Sequence, residues 1–64
     1  MATIETNTRR IVKRLKSEGW MLVGGGKHDK YDHSGKPGVA IVVPRHRTQS
    51  PGVARIIARA AGWI

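Results

Sequence analysis

Between Gly19 and Ser50 the chain is interrupted so often by glycine and proline that a long helix has no room there. Gly24-Gly25-Gly26, then Ser34-Gly35-Lys36-Pro37-Gly38, then Pro44 divide this middle into three short pieces bounded by turn-forming residues. Short pieces with turns between them pair as antiparallel neighbours, so helices are confined to the two ends. Trp20 to Val23 reads as a strand that ends at the triple-glycine turn. His28 to His33 alternates weakly but contains Tyr31, which suits a second strand with one wet face. Val39-Ala40-Ile41-Val42-Val43 is β-branched nearly throughout and is expected to be the central or best-covered strand. Pro44 is expected to end it, because proline cannot donate to a ladder, and Arg45 to Gln49 follows as a basic loop.

At the start, Thr6 or Thr8 can cap a helix that runs to about Glu18 before Gly19 stops it. Ile4, Ile11, Val12 and Leu15 recur at helical spacing and are expected to face a core. Arg9, Arg10, Lys13, Arg14 and Lys16 cover the rest, either as a solvated face or as a surface for RNA or a partner. At the other end, Ser50-Pro51 supplies an N-cap serine and a proline at the first helical position. Val53, Ile56, Ile57 and Ala60, extended to Ile64, form the expected buried stripe, with Arg55 and Arg59 on another face and Gly62 as the stop. The expected fold is therefore α+β: a three-stranded antiparallel sheet with two helices on one face, in a single domain spanning residues 1–64.

A domain of 64 residues has a thin core, and this one has no cysteine to staple it with a disulfide or a thiolate zinc site. Small folds of that kind often lean on a partner subunit. Twelve Lys and Arg against four Asp and Glu give a formal charge of +8, which calls for an anionic partner: nucleic acid, a membrane surface or an acidic protein. No apolar run approaches the roughly 20 residues that span a bilayer, and Met1 to Thr8 lacks the apolar stretch of a signal peptide. A cytoplasmic, non-membrane protein is the default expectation.

The residues best suited to chemistry lie in Gly24-Gly25-Gly26-Lys27-His28-Asp29-Lys30-Tyr31. Imidazole both takes and gives a proton near neutral pH, glycines admit a polyanionic backbone, and lysines hold it. RNA needs little more to be cut, because its own 2′-hydroxyl is a nucleophile beside the scissile phosphate. His28 stands at a junction between glycine loop and strand, where exposed functional groups tend to sit. Residue type alone leaves it as either a catalytic group or an ordinary exposed loop histidine. His33 is expected to be a turn or surface group, and His46, flanked by Arg45 and Arg47, suits phosphate contacts. The three histidines lack metal-ligand spacing, so neither a metal nor another cofactor is called for.

The glycines complete neither a dinucleotide fingerprint nor a P-loop. Trp20 is expected in the core, and Trp63 either covers the core edge or meets a partner. The four acidic residues are too dispersed for a two-carboxylate site. Ser50 is explained as a cap and Ser17 as helix surface, which leaves no nucleophilic serine.

Four stretches together resemble the HicA toxins of HicA–HicB toxin–antitoxin modules. They are Leu15-Lys16-Ser17-Glu18-Gly19-Trp20, Gly26-Lys27-His28-Asp29-Lys30-Tyr31, Val42-Val43-Pro44-Arg45-His46, and Pro51-Gly52-Val53-Ala54-Arg55-Ile56-Ile57 through Ala61-Gly62. The resemblance implies an αβββα fold like the double-stranded-RNA-binding domain and a type II toxin that cuts messenger RNA. It also implies one essential histidine, falling on His28, and inhibition by a HicB-like antitoxin in a hetero-oligomeric complex. Relatives commonly carry Gly-Ser-His-His at the loop, whereas this chain has Lys27 for the serine and Asp29 for the second histidine. The combined expectation is a metal-independent endoribonuclease. His28 is its general acid/base, Lys27 and Lys30 contact RNA or stabilise charge, and Arg45, His46 and Arg47 bind phosphate. The alternative is a non-catalytic double-stranded-RNA-binding module of the same topology. Such modules usually open their last helix with lysine, and Ser50-Pro51-Gly52-Val53-Ala54 has none.

Overall fold

The computed structural model describes residues 4–64. In chain order it contains α1 (Thr8–Ser17), β1 (Met21–Gly25), β2 (His28–Asp32), β3 (Ala40–Pro44) and α2 (Pro51–Ala61). The strands form one antiparallel sheet in the order β1-β2-β3. The expected element order and α+β class hold, and the most apolar strand takes the second of its two expected places: β3 is the best covered, with Ile41 and Val43 buried, but it is not central. β2, with its polar residues, is the central strand, and the β-branched run is an edge strand. The reason lies in the faces: Asp29 and Tyr31 alternate with exposed His28, Lys30 and Asp32, so the sheet is covered on one side only. A half-covered sheet needs apolar residues at every second position and gains nothing from a fully apolar centre.

Tyr31, Ile41 and Val43 supply the covered face and meet Ile11 and Leu15 of α1 and Ile57 and Ala61 of α2, with Trp20 closing the cluster. Each of the larger side chains contributes about 1.5–3 kcal/mol by leaving water. α1 buries Ile11 and Leu15, but Ile4 precedes the helix and is only half-buried. Its cap is neither threonine: the Asn7 side chain accepts from the Arg10 amide, while the Thr8 hydroxyl is taken up by other partners.

α2 buries Ala54, Ile57, Ala58 and Ala61, and Ile56 and Ile64 are 69% and 56% exposed. The expected and observed stripes share Ile57, and the expected Val53 and Ala60 flank the core half-buried, so the differences are Ile56 and Ile64. Alanines on the contact side let the helix lie close to the sheet, and that displaces the bulkier Ile56 to solvent. Ser50 and Gly62 cap α2 as expected, Ser50 through its side chain to the Val53 amide and Gly62 at φ 81°.

The far end of the molecule is tied by a clasp among α1, the β2–β3 connection and the C-terminus. Trp63 Nε1 donates to Glu18 Oε1 at 2.7 Å, and Arg14 Nε donates to Glu18 Oε2 at 3.0 Å. The Arg14 guanidinium also lies 4.3 Å above the Trp63 ring, so Trp63 covers the core edge of its own chain. His33 belongs to the same clasp: Nε2 donates to the Glu18 carbonyl, Nδ1 accepts from the Gly35 amide, and the ring packs edge-on against Trp20. Gly19, at φ 96°, is required here, since a Cβ would stand 2.9 Å from His33 Nε2.

The Trp63 hydrogen bond, followed by Arg14, lowers the Glu18 carboxyl from its ordinary value against an opposing desolvation. A lowered folded-state pKa contributes stability that is present above the unfolded value and is lost as pH falls through the folded value. Thermal midpoints measured from neutral to acid pH should therefore fall more steeply for the wild type than for Glu18→Gln below the ordinary carboxylate range. Identical slopes would mean that the ionisation of Glu18 contributes nothing to stability.

Candidate nucleic-acid interface

The register of the sheet fixes what shares its open face. His28 pairs with Pro44, Lys30 with Val42 and Gly24, and Asp32 with Ala40 and Met21. His28 is exposed at the end of the sheet nearest the glycine turn, and Lys30 lies two residues along the same face. Gly24, opposite Lys30, has no side chain to crowd it, and space beside its Cα is open. Lys27 is in the turn that leads into β2 and is also exposed. These three residues thus gather around one sheet end. Farther along the face, Met21, Val23 and Val42 leave 69%, 53% and 48% of their surface in water. These apolar side chains share the face with Lys30 and with Asp32, which pairs with Met21.

Arg45, His46 and Arg47 are not on this face. They line a cleft of about 680 Å³ on the helix side of the same sheet end, together with Asn7, Thr8 and Arg9 at the start of α1 and with Asp29. Strand alternation is the cause, because Asp29 points opposite to His28. Arg45 is pinned there, its Nε and Nη2 both 3.0 Å from Asp29 Oδ1. The guanidinium crosses Gly25, where a Cβ would come within 3.1 Å of it. A side chain at Gly25 would require the Arg45 guanidinium to shift by a few tenths of an ångström, while Gly24 and Gly26 stand open.

The cleft walls are held by a second clasp. Gln49, 5% exposed, donates through Nε2 to the Thr8 hydroxyl and to the Pro44 carbonyl, and its amide donates to the Thr6 carbonyl. The Thr8 hydroxyl donates in turn to the His46 carbonyl, and the Thr8 amide to the Arg47 carbonyl. Residues 45–49 are thus a fixed wall and not a free basic loop. Nothing in the sequence marks Gln49 for this role, because a glutamine in a basic loop looks like solvent-facing surface. The β-bridge between Asn7 and Thr48 is equally silent in the sequence.

Burial, and then the charge of Asp29, push the Tyr31 phenol up, so it stays neutral in the core. The three histidines do not converge: one is on the open face, one in the Glu18 clasp and one in the cleft. No helix among the described residues is long and apolar enough to cross a membrane. The family model for the HicA toxin of bacterial toxin–antitoxin modules matches residues 8–63, which takes in every element of the fold and both sides of this sheet end. No curated protein matches the chain.

Proposed function

Because the chain belongs to the HicA family of toxins from bacterial toxin–antitoxin modules, we propose that it is a metal-independent endoribonuclease that cuts messenger RNA with His28 as its general acid/base. The observation that carries this reading is an exposed imidazole at a sheet end, with Lys30 on the same face and Lys27 in the adjoining turn. His28 takes the 2′-hydroxyl proton as O2′ attacks phosphorus. The O2′–P bond forms, the P–O5′ bond breaks, and the imidazolium returns the proton to O5′, leaving a 2′,3′-cyclic phosphate and a free 5′-hydroxyl. Lys27 and Lys30 balance the charge that builds on the non-bridging oxygens. Asp29, at the position where relatives carry a second histidine, is occupied by Arg45 on the other side of the strand, so it does not contribute to proton transfer.

The same face supports inhibition by a HicB-like antitoxin. A partner that buries Met21, Val23 and Val42 gains apolar area and covers Lys30 and His28 in the same step. An acidic partner would gain further from the +8 charge, and it would compete with RNA for the same cations. Such a complex forms in the cytoplasm, where messenger RNA is found.

The direct test is incubation of the purified protein with single-stranded RNA in EDTA. Cleavage to cyclic-phosphate ends is the expected result. Intact RNA with tight duplex binding would overturn the enzyme reading in favour of a non-catalytic double-stranded-RNA-binding module.

A further inference from the structure

The open face and the cleft share one end of the sheet but lie on opposite sides of it. His28 and Asp29 are consecutive in β2 and face opposite ways, and Pro44 and Arg45 continue β3 into the cleft wall. Within the cleft, the single carboxylate, Asp29, is already engaged by Arg45. Arg9 and Arg47 are exposed and have no carboxylate partner among the described residues. The backbone behind them is held by the buried Gln49 amide and by Thr8, so the cations are presented on a rigid wall. Two unpaired arginines on a preformed wall attract phosphates, and because Arg45 offsets Asp29 the cleft keeps the full positive charge of Arg9 and Arg47.

We propose that one RNA strand engages both sides, with its scissile phosphate at His28 and its flanking phosphates turned over the sheet end into the cleft of Arg9, Arg45 and Arg47. The inference rests on the ribonuclease reading and adds to it the path of the strand over the sheet end and a second, arginine-lined subsite. A duplex does not fit this path. Its stiffness extends over tens of nanometres, taking DNA's roughly 50 nm as a guide, whereas the longest dimension of this protein is 29 Å. A duplex would therefore touch one side of the sheet and leave the other side empty. A single strand turns within a few nucleotides and can follow a cationic groove. The glycine turn allows it to pass closely, since Gly26 has nothing within 4 Å of the place a Cβ would occupy.

The test uses 2′-O-methyl strands, which lack the attacking hydroxyl, of about four and about twelve nucleotides, and a duplex of the longer sequence. For the wild type, the longer strand should bind more tightly than the shorter one and more tightly than the duplex. The double variant Arg9→Ala, Arg47→Ala should weaken the longer strand about tenfold and erase the advantage of length. Its log–log salt slope should fall by about 1.4, roughly 0.7 for each arginine removed. The double variant Arg55→Ala, Arg59→Ala removes the same charge from the exposed side of α2 and should leave the affinity within about twofold. Equal weakening by both double variants would reduce the cleft to net charge and overturn the proposal, as would duplex binding as tight as single-strand binding. Failure of the nuclease reading looks different: RNA stays uncut in EDTA, whatever the binding series gives.

Discussion

His28→Ala protein should keep its fold and lose RNA cleavage by a factor of about 10²–10⁴, the span that a positioned acid/base group supplies. The fold is expected to survive because the ring is exposed and no hydrogen bond joins it to another described residue. Thermal midpoints of variant and wild type should agree to within a degree or two. The loss should appear in the rate of the bond-breaking step, measured at saturating RNA by separating cleaved from intact strands. Lys30→Ala should lose less, because it removes a charge near the reacting phosphate and not the proton carrier. If His28→Ala cleaves at the wild-type rate, the imidazole is a bystander and the chemistry belongs elsewhere on the surface.

Why the histidine was legible in sequence, and the cleft was not, follows from how each is built. His28 lies next to its own turn, and a glycine run before an alternating strand is enough to place it at an exposed strand start. Lys27 and Lys30 are equally local. The Arg45–Arg47 segment was recognisable as cationic, and strand alternation sets the side that Arg45 takes, but the wall that closes the cleft against α1 depends on a pairing between Gln49 and residues 6–8, some forty positions away. Nothing local encodes that contact. Arg9 shows the same limit: in the helix pattern it is one of five surface cations, and only the bridge between Asn7 and Thr48 brings it opposite Arg47.

The fold itself was readable where turn chemistry decides it. Ser50-Pro51, Gly62 and the two glycine-rich turns set the boundaries of α2 and of the strands. The order of the strands was a different matter. A β-branched run reads as central on hydrophobicity alone, whereas the one-sided cover of this sheet makes the centre a question of connectivity. A two-residue turn joins β1 to β2 and a seven-residue connection joins β2 to β3, so β2 lies between its sequence neighbours whatever its composition.

The rotation of α2 is where stability should divide the two patterns most sharply. Leu15, 0% exposed, lies at the centre of the core, and Leu15→Ala should cost about 2–5 kcal/mol. A cysteine-free domain of this size rarely holds more than about 3–5 kcal/mol in total, so the variant should be largely unfolded in dilute buffer. Ile56→Ala makes a comparable deletion of side-chain atoms in α2, yet at 69% exposure it should change stability by no more than about 0.5 kcal/mol. Urea titrations followed by circular dichroism give both values. Antitoxin or RNA that binds only the folded form would recover part of the Leu15→Ala loss, about 2.7 kcal/mol at a hundred times Kd. That recovery would return folded signal at Leu15→Ala and raise the urea midpoint of Ile56→Ala by the same free energy. A large loss at Ile56 would mean instead that α2 is turned about its axis so that Ile56 joins Val53 and Ala60, which already flank the core, against the sheet.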